Sequence, residues 1–416
     1  MLRQYQEDAL SALAKYWSKK SDPCILQLAT GAGKSWVIAE LVKRTGISAL
    51  VLQPSKEILE QNYDKLLQAG VDRRTINICS ASAGSWDIGK ITLATIGTIC
   101  SHPEYCENFK IIIIDEADVV PVDRADSQYM SFLNKLPNTR IVGLTATPWR
   151  NQSFAKKYED PKVFCRPLTR IFCRGGKDFA YGQWFWKGGI IYKCEIDYLQ
   201  ENGYLSPTVY HEAVADWSFV SDAAGRVDYD TEEMTRFMDI EANTSRFTQA
   251  INWCMNNNLK TIVFSPNIDM NFRLAECIEA LGGTAECMDS ENDNKASRED
   301  KMERFRNGEF QFLVNVGMVG RGVDVPSVDA VVLCRPTKSL SLYMQFVGRC
   351  LRKDPDNPDK VAYILDLSGN VERFGRVEDV KLKKVKAYTK YGGTYLKDTI
   401  VVKNKEGKDR IWEQIT

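Results

Sequence analysis

One segment constrains the fold of this chain more than any other: the apolar run Ile25-Leu26-Gln27-Leu28 passes into Ala29-Thr30-Gly31-Ala32-Gly33-Lys34-Ser35 and then into a helical pattern. A strand, a glycine-rich turn and a helix in that order belong to a βαβ unit. The glycines let the backbone turn tightly and aim its N–H groups at an anion beside the helix N-terminus. Lys34 is placed to reach the β and γ phosphates of ATP, the Ser35 hydroxyl to bind Mg²⁺, and the backbone of Thr30, Gly31, Ala32 and Gly33 to cradle phosphate oxygens. The general G-x-x-x-x-G-K-[ST] pattern fails once, at Leu28, which stands where its first glycine would fall. The bland alternative is an ordinary strand-to-helix turn.

The rest of the chain repeats this rhythm. Short β-branched runs (Ala49 to Leu52, Ile111 to Ile114, Ile141 to Leu144) alternate with amphipathic stretches (Trp36 to Lys43, Lys56 to Gln68), which predicts parallel strands joined by crossover helices. The same alternation restarts near residue 240, with helices at Ser245 to Asn256, Met270 to Leu281, Arg298 to Arg306 and Leu340 to Leu351. Strands are predicted at Thr261 to Phe264, Phe310 to Val316 and Ala330 to Leu333. At 416 residues the chain exceeds what a single core holds, so two α/β domains are expected. The boundaries read as 1–150, an aromatic and glycine-rich insert over 151–205, a second domain over 206–370, and a lysine- and tyrosine-rich tail over 371–416.

A second acidic feature stands at a strand end. Ile111-Ile112-Ile113-Ile114 runs into Asp115-Glu116-Ala117-Asp118, which places Asp115 to hold the Mg²⁺ shell and Glu116 to orient or deprotonate a water. A solvated acidic loop is the alternative, and the phosphate loop upstream weighs against it.

Composition removes several classes. Lysine plus arginine equals aspartate plus glutamate at 55 each, so no global positive field draws in nucleic acid and any such contact is local. The 12 cysteines lack paired C-x-x-C spacing. Cys165, Cys173 and Cys194 come nearest to a metal cluster, but idle thiols are the favoured reading, and His102 and His211 are the only histidines. The Ile111 to Ile114 run is too short for a membrane span, and Met1 to Tyr5 carries no apolar signal core. The chain reads as cytosolic and monomeric, without a membrane partner.

With these residues in place the chain resembles a superfamily-2 helicase, most closely the bacterial and phage RadD-type branch. Leu2-Arg3-Gln4-Tyr5-Gln6 resembles the family segment whose glutamine, here Gln6, recognises adenine. Leu52 to Glu57 and Ala94 to Thr98 resemble its backbone-contacting segments, and Thr145-Ala146-Thr147-Pro148 its motif coupling hydrolysis to domain movement. Further on, Phe264-Ser265, then Gly320-Arg321-Gly322-Val323-Asp324-Val325-Pro326, then Gln345-Phe346-Val347-Gly348-Arg349-Cys350-Leu351-Arg352 follow in family order. The resemblance implies two tandem RecA-like domains with the ATP cleft between them. It implies that Gly322 and Asp324 contribute to nucleotide binding, and that Gln345, Arg349 and Arg352 act from the second domain, Arg352 first as the arginine finger.

The chain also departs from the family. The letters Asp-Glu-Ala-Asp are weak evidence for RNA, because the neighbouring motifs do not fit DEAD-box proteins. Val316 stands where many relatives carry a hydroxyl residue, and the tail lacks the cysteine-rich extension of RadD-type proteins.

Sequence-independent contacts to a strand are expected from Ser55, Thr95, Thr98 and Ser265, for which capping and loop polarity are the plain alternative. Trp184, Phe185, Trp186 and Tyr192 are candidates to stack on bases, although packing of a linker is the commoner use of such residues. The expected function is an ATP- and Mg²⁺-dependent DNA helicase or translocase. An RNA helicase, an ATP-switched scaffold and a small-molecule P-loop enzyme are the competing readings.

Overall fold

The computed structural model describes residues 2–154, 162–171, 185–212, 228–229, 231–238, 241–316, 327–388, 394–403 and 407–411. The chain divides into two compact units. One comprises 1–150, 166–195 and 382–399, and the other 151–165, 196–381 and 400–416.

Among the described residues ten strands precede residue 200: β1 (Cys24–Leu28), β2 (Ala49–Gln53), β3 (Ile76–Ser80), β4 (Ser85–Trp86), β5 (Ile91–Thr95), β6 (Ile111–Asp115), β7 (Arg140–Thr145), β8 (Trp149–Phe154), β9 (Lys162–Pro167) and β10 (Gly189–Cys194). The first unit's sheet runs β10-β1-β7-β6-β2-β5-β3-β4. All neighbours are parallel except β3 and β4. Every residue of β1, β2 and β6 is buried. Burial on both faces is why these strands read as unbroken apolar runs rather than alternating ones. Helices α1 (Gln4–Trp17), α2 (Lys34–Thr45) and α3 (Lys56–Gln68) belong to the same unit.

The aromatic and glycine-rich segment does not stand apart from this unit. Its β10 is the sheet's edge strand, in register with β1 through Leu28↔Cys194. Trp186 is 2% exposed, meets Phe185 edge to face at 4.9 Å, and lies against Gly143 of β7. Both rings are core, which is the packing alternative rather than a base-stacking surface. Tyr192 is half-buried on β10, and Trp184 lies outside the described residues.

In the second unit β11 (Thr208–Glu212), β12 (Thr261–Phe264), β13 (Ala285–Met288), β14 (Phe312–Asn315), β15 (Ala330–Leu333) and β16 (Ala362–Asp366) form a wholly parallel sheet in the order β11-β16-β15-β12-β14-β13. Phe247, Ile251, Val263, Leu274, Ile278 and Phe312 anchor its core. The lysine-rich C-terminal segment is ordered as strands, β17 (Lys381–Tyr388), β18 (Thr394–Lys403) and β19 (Asp409–Ile411), with Val401↔Ile411 antiparallel. Leu382, Ile400, Val401 and Val402 are buried, while Lys383, Lys384 and Lys386 face solvent. Among the described residues no helix is long and apolar enough to cross a membrane.

Candidate nucleotide site and its neighbours

The phosphate-loop segment occupies the carboxyl end of β1, where open α/β sheets bind ligands. Gly31 and Gly33 take φ of +83° and +75°, and Gly33 opens α2 in the left-handed region. Its missing side chain matters twice, because a Cβ there would stand 2.7 Å from the Gln6 amide nitrogen. The loop is held from several directions. The Ala32 carbonyl accepts from the Tyr5 hydroxyl at 3.0 Å and from Gln6 Nε2 at 2.9 Å, and Gln6 Oε1 accepts from the Arg3 amide at 2.9 Å. At the other end of the loop the Ala29 amide donates to the Cys194 carbonyl of β10 at 3.0 Å.

Lys34 Nζ lies 3.0 Å from Glu116 Oε1. Glu116 adopts φ +51° and ψ +54°, a left-handed conformation that a non-glycine residue holds only when its surroundings impose it. Beside it the buried Asp115 carboxylate accepts from Asn62 Nδ2 at 2.8 Å and from the Glu116 amide at 3.0 Å. Burial, then the neighbouring Glu116 charge, pushes the Asp115 carboxyl up to about 6, with Lys34 and Asn62 opposing the rise.

This arrangement fits a divalent cation bound with a nucleotide. A hard carboxylate oxygen and the Ser35 hydroxyl are ligands of the kind Mg²⁺ takes, and added positive charge would offset the crowding that raises Asp115. Among the described residues no three His, Cys, Asp or Glu side chains gather to hold a metal by themselves. Mg²⁺ commonly uses one or two carboxylates with phosphates and water.

Thr145 and Thr147 join the same neighbourhood. The Thr145 hydroxyl donates to Asp118 Oδ1 at 2.9 Å and accepts from the Thr147 amide at 3.0 Å, and all three residues are buried. Asn62 and Asp118 are therefore site residues with no role in the sequence reading. Asp118 was visible as the last acid of its run. Asn62, in the middle of α3, carries no motif and could have been found only through its burial.

The proposed strand-contacting hydroxyls are committed to internal bonds. Ser55 caps α3 through the Ile58 amide at 3.5 Å. The Thr98 hydroxyl accepts from the Ala81 amide at 2.9 Å, and Thr95 lies within bonding distance of Ser80 and Thr98. Ser265 is 1% exposed and donates to the Asn267 carbonyl at 3.0 Å.

In the second unit the helix Leu340–Val347 ends just before Arg349, whose Nε donates to the Gln345 carbonyl at 3.1 Å. Burial lowers the Arg352 guanidinium to about 10. The Arg352 carbonyl accepts from Lys360 Nζ at 2.8 Å and from the Ser206 hydroxyl at 3.2 Å, fixing the backbone that carries it. Gly322 and Asp324 lie outside the described residues. Cys165 and Cys194 are buried and form no disulfide, and Cys173 is likewise outside the described residues.

Two parallel α/β sheets in succession, the first with a glycine loop, lysine and paired carboxylates at its carboxyl edge, define the RecA-like two-domain class. Residues 1–150 match the family described as "Type III restriction enzyme, res subunit", and residues 243–354 match "Helicase conserved C-terminal domain". These two matched segments make the chain similar to superfamily-2, DEAD/DEAH-like helicases. It is similar to irc3 of Schizosaccharomyces pombe, whose name includes the words ATP-dependent helicase, at 25% identity over 89% of this chain and 58% of that protein. It is also similar to the DNA 3'-5' translocase XPB2 of Sulfurisphaera tokodaii, at 23% identity over 88% of this chain and 81% of that protein. The fold matches the ATP-dependent Type ISP restriction-modification enzyme LlaBIII bound to DNA, with a TM-score of 0.59 and 16% identity, over 88% of this chain and 27% of that one. The chain thus spans little more than half the length of irc3.

Proposed function

We propose that this chain is an ATP-driven motor on nucleic acid, a DNA helicase or translocase acting in replication, recombination or repair, on the RadD-type branch of its family. The single observation that carries the reading is the Lys34–Glu116 pair beside a buried Asp115, directly behind the glycine loop. A lysine, a proton acceptor and a carboxylate at one strand edge are what phosphoryl transfer to water requires.

Lys34 leaves Glu116 for the β and γ phosphates when ATP enters, which frees the Glu116 carboxylate to orient a water and accept its proton. Thr30, Gly31, Ala32 and Gly33 present their amides to phosphate oxygens, and Gln6 reads adenine. Ser35 and Asp115 would hold Mg²⁺, which would neutralise charge on the phosphates. Arg352, with Arg349 and Gln345, stabilises charge on the γ-phosphate in the transition state, and Gly322 and Asp324 assist nucleotide binding. The Thr147–Thr145–Asp118 chain transmits the state of the Glu116 strand end to the rest of the first unit. Ser55, Thr95, Thr98 and Ser265 mark the edge along which a strand runs, a role that requires their present internal bonds to exchange. DNA is favoured over RNA by the kinship with a DNA translocase.

The test is ATPase activity measured with no nucleic acid, with single-stranded and duplex DNA, and with RNA, alongside strand displacement. DNA is expected to stimulate hydrolysis most. A rate indifferent to every nucleic acid would sink the motor reading, and stronger stimulation by RNA would move it to an RNA helicase. A Glu116→Gln variant that keeps full biological activity without hydrolysis would favour a scaffold.

A further inference from the structure

Away from the helicase motifs' nucleotide residues, the second unit contains a cavity of 730 Å³ bounded by the ends of β11 and β18, by β19 and by the helix Asn370–Phe374. Four cations line it: Arg373, Arg376, Lys403 and Arg410. Glu212 places it at the carboxyl end of β11, a strand of the parallel sheet, the edge at which such sheets bind ligands.

Two of these arginines are oriented in advance. The Arg376 guanidinium lies 5.3 Å from the centre of the Tyr210 ring, and that of Arg373 lies 5.0 Å from Tyr229 while donating to the Thr337 carbonyl at 3.2 Å. The backbone between them is pinned. The Tyr343 hydroxyl donates to the Gly375 carbonyl at 3.0 Å, and the Val377 amide donates to the Tyr210 hydroxyl at 3.1 Å. A planar guanidinium backed by an aromatic face loses little freedom on meeting a phosphate.

The lining also carries Glu212, Glu372 and Asp379. Asp379 is matched by Lys403 at 3.1 Å. The remaining carboxylates disfavour a bare dianion, whose charge is concentrated, but accept hydrogen bonds from sugar hydroxyls and base amines. Guanidiniums for phosphates beside carboxylates for nucleoside donors suit a polynucleotide better than an inorganic ion.

We infer that this cavity is a second nucleic-acid contact, which binds the sugar-phosphate backbone of a strand through Arg376 and Arg373. The inference rests on the motor reading above and adds a contact to those proposed for Ser55, Thr95, Thr98 and Ser265. The experiment measures binding of a fluorescein-labelled DNA single strand to the full chain across a salt series, for wild type, Arg376→Ala, Arg376→Glu and Arg376→Lys. Arg376→Ala is expected to weaken binding by about tenfold and to lower the slope of log affinity against log salt by about 1, with Arg376→Lys restoring the slope. ATP hydrolysis without nucleic acid and the melting temperature stay at wild-type values, because Arg376 is exposed and none of the residues assigned to nucleotide lines this cavity. Unchanged affinity and slope in both Ala and Glu variants overturn the inference while leaving the motor reading intact. If wild type itself binds no strand, both fall together. Competition with sodium phosphate at fixed ionic strength separates the ligands: displacement of the strand from wild type but not from Arg376→Ala would assign the cavity to free phosphate instead.

Discussion

Lys34 and Glu116 meet at 3.0 Å, so each side chain is held by the other beside the glycine loop. The two residues come from different strand ends, β1 and β6, which lie on either side of β7 in the sheet. On the proposed mechanism this pair must break for ATP to bind. Glu116→Gln is expected to retain ATP binding and to slow hydrolysis by about 100-fold or more. Lys34→Ala is expected to weaken ATP binding itself. Nucleotide-binding titrations with single-turnover hydrolysis separate the two, and equal losses of affinity in both variants would contradict the assigned roles.

Asp115 gives a pH dependence with a definite sign. Its carboxyl is raised from 3.8 to about 6 in the fold. Between those values the folded chain therefore holds a proton that the unfolded chain has lost. The contribution of Asp115 to stability falls as pH rises through this window, and is restored as pH drops toward 4. Asp115→Asn removes the titration. The melting temperature of the variant minus that of wild type should be larger at pH 7 than at pH 5 without nucleotide. A constant difference would show that Asp115 does not titrate there.

Gly33 joins a positive φ to a close approach, since its Cβ would stand 2.7 Å from Gln6 Nε2. Gly33→Ala should cost about 1–2 kcal/mol in backbone strain and displace Gln6 from the Ala32 carbonyl. A raised KM for ATP and a lowered melting temperature are expected. Adding Gln6→Ala should recover part of the stability but not the KM, and a fully additive double variant would rule out the clash.

Thr145→Val removes the hydroxyl that bridges Asp118 and the Thr147 amide inside the core. Loss of stability by about 1–3 kcal/mol follows from leaving buried groups unpaired. If the bridge couples hydrolysis to movement, strand displacement falls further than DNA-stimulated ATPase, and Thr145→Ser restores both. Parallel loss of the two activities would mark the bridge as structural only.

The two sheets were legible because buried parallel strands and crossover helices carry short-range patterns. The predicted Lys56 to Gln68 helix coincides with the observed one, and Ile111 to Ile114 is the heart of β6. The edge strand β10 was hidden for a physical reason. A sheet edge is defined by a partner far away in the chain, here Leu28 against Cys194, and half-buried Ile190 and Tyr192 show no alternation that distinguishes them from a linker. The same applies to β17 and β18, where lysines on the exposed positions obscure the apolar residues they flank.

By itself the sequence determined the fold class and the order of the candidate nucleotide residues, because a glycine loop with its lysine, and a strand ending in acids, are each contiguous in the chain and encode their own geometry locally. Only the tertiary structure decided which groups meet. The pairing of Lys34 with Glu116, the clasp of Asn62 on Asp115, the Asp118–Thr145 bond and the seating of Gln6 on Ala32 each join residues 26 or more positions apart. Such contacts depend on strand order and helix packing, and these are set by the summed burial of the whole core rather than by any segment within it.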